Sequence, residues 1–240
     1  MEWRDQGALI SARPQGETGA VIWVFTAEHG LHAGVVRGGA SRRMAATLQP
    51  GTQVAVTWRA RLDDQLGTFV VEPLRSRAAL LGDRAGLAAL GALCAMLRLA
   101  LPEREPHPGL FNASVALLDR LEGGAADWAA SYLRWELLLL EEIGFGLDLS
   151  RCAVTGAREG LAFVSPRTGR AVSRQGAGDW ADRLLPLPEF LLGQGPAGPA
   201  DLLAGLALTG HFLNRDLAGA LHGRDLPAAR GRLADLMARG

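Results

Sequence analysis

The stretch Ala20-Val21-Ile22-Trp23-Val24-Phe25-Thr26 decides how the first third of this chain is read. Its β-branched and aromatic residues favour a strand, and Glu28-His29-Gly30 supplies the turn that ends it. Working outward, Leu31-His32-Ala33-Gly34-Val35-Val36-Arg37 is a second strand, stopped by Gly38-Gly39. Upstream, Ala8-Leu9-Ile10-Ser11-Ala12 is a short strand. Downstream, a Ser-Arg-Arg segment leads to Leu48-Gln49-Pro50-Gly51. Residues 54–60 then alternate, with Val54, Val56 and Trp58 on one face. After the turn at Asp63-Asp64, residues 67–72 form a last strand that Pro73 ends. Five short strands with glycine turns match a five-stranded oligonucleotide-binding (OB) barrel in size.

The composition shifts near residue 78. Residues 80–101 are almost all Ala, Leu and Gly and read as a buried helix, broken by Pro102, Pro106 and Pro108. Residues 110–121 and 127–143 are two more helices, the latter with Trp128, Tyr132, Trp135 and Leu139 at helical spacing. Residues 161–164 and 170–173 flank the turn Ser165-Pro166-Arg167-Thr168-Gly169 and predict a hairpin lobe. A short helix is expected near 189–192, another helix over 201–221 and a last amphipathic one over 226–238. The expected class is α+β: a barrel domain over residues 1–78, then a mainly helical domain over 79–240 with a small lobe inserted at 151–178.

Composition narrows the function. Apolar residues are 48% and charged residues 21%, so the chain is globular. All 25 basic residues are arginine, which excludes a Walker phosphate loop and Schiff-base chemistry. Phosphate contacts must then use a guanidinium, which can hold two phosphate oxygens at once. The start Met1-Glu2-Trp3-Arg4-Asp5 lacks the order of a signal peptide, and no apolar run has membrane-spanning length, so a cytoplasmic protein is expected. There is no GxSxG, no HExxH and no two-metal carboxylate cluster, so no catalytic residues are expected. No metal or other cofactor is expected either. His29 and His32 share a turn without an acidic or cysteine partner at ligand spacing, and Cys94 reads as core.

The arginines carry the functional reading. Residues 1–77 hold nine of them against seven acids. That excess is small, so placement matters more than the sum. Arg37, Arg42 and Arg43 fall within seven residues that contain two glycines and no acid, a segment that can approach a polyanion closely. Arg59 and Arg61 lie opposite the Val54/Val56/Trp58 face. In the lobe, Arg151, Arg158, Arg167, Arg170 and Arg174 face one acid, Glu159. Of these, Arg167, Arg170 and Arg174 make a second candidate phosphate surface.

Ordered segments resemble one family. Gly7-Ala8-Leu9-Ile10, Val24-Phe25-Thr26-Ala27-Glu28-His29-Gly30-Leu31, Val36-Arg37-Gly38-Gly39 and Leu48-Gln49-Pro50-Gly51 are similar to the bacterial recombination mediators of the RecO family. Glu72-Pro73-Leu74, residues 136–145, Leu147-Asp148-Leu149-Ser150-Arg151-Cys152 and residues 163–170 continue the likeness across nearly the whole chain. The resemblance implies an OB-fold barrel, a helical domain with a zinc-finger-like lobe, and no enzymatic activity. It implies binding of single- and double-stranded DNA and annealing of complementary strands. It further implies loading of RecA, together with RecR, onto DNA coated by single-strand-binding protein, whose acidic C-terminal tail is a further partner. A nucleoid-associated, cytoplasmic protein is what it implies for location. Family members often carry two CxxC pairs in the lobe. Here the corresponding segments read Cys152-Ala153-Val154-Thr155 and Ser173-Arg174-Gln175-Gly176, with one thiol of four. A zinc-free lobe packed around Leu161, Phe163 and Val172 is therefore expected. Two other readings stay open on the residues alone: a helical protein-interaction adaptor, and an RNA-binding OB-fold protein.

Overall fold

Alternation in the second strand builds the first core. In the computed structural model, which describes residues 1–62 and 65–239, β1 (Glu2–Gln15), β2 (Gly19–Thr26), β3 (Gly30–Val36), β4 (Gln53–Arg59) and β5 (Gly67–Arg75) close into a barrel of order β1-β2-β3-β5-β4. Ala20, Ile22 and Val24 point inward and meet Leu9, Val36, Val54, Val56, Trp58 and Phe69. Trp58 is fully buried, and its Nε1 donates to the Ala33 carbonyl at 3.3 Å. The expected OB-like barrel is thus present. Asp63 and Asp64, expected in the turn before the last strand, lie outside the described residues.

Two strands differ from expectation. β1 starts at Glu2, because Glu2–Ala8 pair with β4 while Gly7–Gln15 pair with β2. The period-two signal is present there, but its inward positions are Trp3 and the acid Asp5, which hide it. β5 runs through Pro73 to Arg75. Past Thr68 it pairs only with β4 among the described residues, so its other edge needs no amide from Pro73. Between β3 and β4 a short helix α1 (Arg42–Thr47) is capped by Ser41, whose Oγ accepts from the Met44 amide at 3.3 Å.

The chain forms two compact units, Met1–Gly124 and Ala125–Gly240. Helices α2 (Arg84–Ala100) and α3 (Pro108–Glu122) belong to the first. Asp83 caps α2 by accepting from the Ala85 amide, and buried Leu93, Met96 and Leu97 form its inner face. The segment between the helices docks on β3 through the Arg104 amide, which donates to the Leu31 carbonyl at 2.9 Å. Buried Arg77 donates to Glu122 at 2.7 Å and pairs with Asp119 at 2.6 Å, tying the end of β5 to α3.

The second unit starts with α4 (Trp128–Glu142) and the lobe. The expected hairpin is β6 (Leu161–Val164) with β7 (Ala171–Ser173), followed by α5 (Arg174–Ala177). A two-residue strand β8 (Leu185–Pro186) adds to β6; it is too short to show a period in sequence. Leu161 and Val172 are buried and Phe163 is half-buried. A 3-10 turn over Glu189–Leu192 precedes α6 (Pro199–Phe212). The long helix expected to residue 221 changes at Leu213 into a π-helical turn, Leu213–Ala218. α7 (Ala228–Met237) closes the unit. Among the described residues no helix is long and apolar enough to cross a membrane.

Candidate nucleic-acid interface

Register fixes what the barrel shows to solvent. In antiparallel pairing, opposed residues share a face. Glu2, Arg59 and Thr68 make one outward row; Arg4, Thr57 and Val70 make the next. β3 and β5 run parallel over Gly34/Gly67 and Val35/Thr68 and then part. A groove of about 470 Å³ occupies that seam, lined by Arg37, Met44, Arg59 and residues 68–71 of β5. A larger one of about 830 Å³ shares Arg59 and Val70 and adds Arg4, which the sequence reading did not single out.

The structure therefore brings Arg37 and Arg59 to one groove. Arg42 and Arg43 are exposed at the start of α1, the helix whose Met44 lines the same groove. Arg61 is exposed just beyond β4. Arg59 is engaged by Glu2 at 2.9 Å, and that guanidinium holds the Glu2 carboxyl below the usual range. Both side chains are well exposed, so water screens the pair and a phosphate can replace the carboxylate.

The lobe arginines lie in the second unit. Arg167 is exposed at the hairpin turn, and Arg215 braces that turn by donating to the Arg167 carbonyl at 3.1 Å. Arg170 pairs with Asp148 at 3.5 Å. Arg174 opens α5 and lines a pocket of about 280 Å³ together with Glu189 and Asp201. Acids thus accompany two of the three lobe arginines, a difference from the acid-free turn around Arg37.

The zinc expectation can be tested on the four positions themselves. Cys152 is buried, and its sulfur accepts from the Val154 and Thr155 amides at 3.4 Å each. It also accepts from the Ser173 amide at 3.2 Å and the Ser173 hydroxyl at 3.3 Å. Ser173 Oγ in turn accepts from the Gly176 amide at 3.1 Å and lies 3.5 Å from Thr155 Oγ1. Burial pushes the thiol up, but the bonds from Ser173 and Thr155 outweigh it and bring it to about 6. One sulfur, two hydroxyls and a glycine do not make a tetrahedral zinc site. Gly176 brings no ligand atom at all, and a Cβ there would stand 2.8 Å from the Cys152 sulfur and crowd it. Purified protein should contain no stoichiometric zinc by elemental analysis; one zinc per chain would overturn this.

The histidines correct one expectation. His29 does have an acidic partner, from far away in sequence: Asp5 Oδ2 lies 3.1 Å from its Nδ1. With Glu28 the three offer ligand atoms within 4.8 Å of one another. Trp3 stacks on the His29 ring at 4.0 Å, so both the ring face and Nδ1 are already used in packing the barrel. His32 is buried against Trp3 and Trp58, and burial lowers its pKa.

A closed OB-like barrel with two arginines on one groove, followed in the chain by a helical unit with a small β-lobe, defines the class of protein. Comparison with known proteins gives the particular family. The description "Recombination protein O N terminal" matches residues 1–77, and "Recombination protein O C terminal" matches residues 81–225. The chain is 66% identical to a DNA repair protein RecO of Cereibacter sphaeroides, covering all of this chain and 99% of the relative. It is 57% identical to that of Ruegeria sp. and 53% to that of Roseobacter denitrificans, again covering all of this chain and 99% of each relative. The chain belongs to the RecO family of DNA repair proteins, and none of these names carries a catalytic activity.

Proposed function

We propose that this protein is a non-catalytic recombination mediator that binds single- and double-stranded DNA and anneals complementary strands. In this reading residues 1–78 are the DNA-binding domain, and 79–240 the helical domain that carries protein contacts. Arg37, Arg42, Arg43, Arg59 and Arg61 neutralise backbone phosphates without reading sequence. Arg167, Arg170 and Arg174 form the second phosphate surface. Holding two strands against fixed guanidinium groups lowers their mutual repulsion, and base pairing then selects the partner. Its partners are RecR, the C-terminal tail of single-strand-binding protein and, indirectly, RecA, at the nucleoid of the cytoplasm. The observation that carries the reading is the placement of Arg37 and Arg59 on one groove, with Arg42 and Arg43 on the adjoining α1.

Changing Arg42 and Arg43 together to alanine tests it. Each phosphate contact to a single strand contributes roughly 0.7 to the slope of log affinity against log salt. The double variant should bind single-stranded DNA more weakly, with a slope reduced by about 1.4. Titration at several salt concentrations reads both quantities. Unchanged affinity and slope would remove these two residues from the interface.

A further inference from the structure

The turn between β2 and β3 carries side chains that the phosphate groove does not use. Asp5 of β1 joins Glu28 and His29 of that turn, and the three offer ligand atoms within 4.8 Å of one another. His29 Nδ1 and Asp5 Oδ2 stand 3.1 Å apart. Two donor atoms at right angles, each about 2.1 Å from one ion, are roughly 3 Å apart, so this pair already has the spacing of two ligands of one cation. Both are held from behind. Trp3 stacks on the His29 ring at 4.0 Å, which fixes the ring plane and leaves the edge of the imidazole clear of the stack. The Gln6 amide donates to Asp5 Oδ1 at 2.7 Å and orients that carboxylate. The His29 backbone is pinned on both sides: its amide donates to Thr26 Oγ1 at 3.0 Å, and its carbonyl accepts from His32 Nδ1 at 3.2 Å. Glu28 is exposed, and Asp5 lines the groove of about 830 Å³ together with Arg4, so the cluster opens to solvent.

We propose that Asp5, Glu28 and His29 bind a divalent transition cation, with manganese(II) the best match to the donor set. Three features carry it. Two carboxylates converge on one imidazole, and like charges brought this close are stabilised by a cation between them. Carboxylate and water oxygens suit manganese, magnesium and calcium alike, but the imidazole nitrogen favours a transition ion over the two hard ones. And the ring and the Asp5 carboxylate are both oriented by neighbours that would not themselves touch the ion, the arrangement by which metal ligands are held in place. The hydrogen bond between His29 and Asp5 uses one proton, and the cation takes the place of that proton. Three protein ligands leave the remaining positions to water. So open a site exchanges its ion with solution and gives it up to a chelator, in keeping with a purified protein that holds no stoichiometric zinc. Bound there, the ion neutralises two acids at the rim of the larger groove.

The test uses the untagged full chain, first stripped with chelator, and manganese(II) as the probe. Electron paramagnetic resonance of the free aqueous ion follows the titration. Binding should saturate at a single ion for each chain, and a large excess of magnesium should not displace it. Glu28→Gln removes a ligand at an exposed position, outside the barrel core, and should weaken binding at least about tenfold. Glu17→Gln, in the exposed turn between β1 and β2, should leave binding unchanged. No saturable binding, displacement by magnesium, an unchanged affinity in Glu28→Gln, or an equal loss in both variants would overturn the site. The DNA-binding reading stands or falls separately, by its own titration.

Discussion

Replacing Glu136 by alanine should cost the second unit about 3–5 kcal/mol of folding stability. Glu136 is fully buried in α4, and its two carboxylate oxygens are completely engaged. Arg230 of α7 donates to it from Nε at 2.7 Å and from Nη2 at 2.9 Å. The Tyr132 hydroxyl donates at 2.9 Å and the Thr209 hydroxyl at 2.6 Å. Burial alone would lower the pKa of Arg230, but Glu136 raises it overall, while burial, joined by that same charge, pushes Tyr132 well above its usual value. The alanine variant removes the anion and leaves Arg230, 7% exposed, with a charge in the interior. An uncompensated buried charge is far more costly than the intact pair is stabilising. Hydrogen exchange resolved along the chain is the proper readout, because two units need not unfold together. Protection should collapse in α4, α6 and α7 and persist in the barrel. A loss under about 1 kcal/mol would show the pair to be dispensable. A variant with Glu136→Leu and Arg230→Met should recover much of the loss, since well-packed apolar pairs often match buried ion pairs.

That pair shows where sequence is legible and where it is not. The barrel was readable because β2 and β4 alternate cleanly, and alternation survives without knowledge of partners. The first half of β1 was not, because its inward positions are Trp3 and Asp5, and the use of Asp5 depends on His29, a strand away. Glu136 left a signal: it falls at helical spacing with Tyr132, Leu133, Leu139 and Leu140, all of them buried. An acid on an apolar stripe calls for a buried cation, yet nothing local points to Arg230, 94 residues on. The arginine turn was legible because its residues are contiguous. The loss of three thiols from the lobe could be read directly. What replaces them, a sulfur holding Ser173 and backbone amides, is a matter of geometry.

The second large effect should come from Gly30→Ala, which we expect to cost the first unit about 3–4 kcal/mol. Sequence already marks Gly30 as a turn residue, and its φ of 65° bears that out. A left-handed conformation costs an alanine about 1–2 kcal/mol. The larger part is a close approach that the turn does not reveal. A Cβ at Gly30 would stand 2.0 Å from the carbonyl oxygen of Glu105, which is main chain and cannot rotate away. The segment after α2 would have to lift from β3, breaking the bond from the Arg104 amide to the Leu31 carbonyl. Gly16→Ala separates the two causes. Gly16 has a similar φ of 59°, but a Cβ there meets nothing within 4 Å. It should lose only the conformational part, about 1–2 kcal/mol. Urea unfolding of both variants reads the difference, and equal losses would mean that the approach of residue 105 to β3 contributes nothing to stability. If the difference appears, the segment joining α2 to α3 is fastened to the barrel at Gly30.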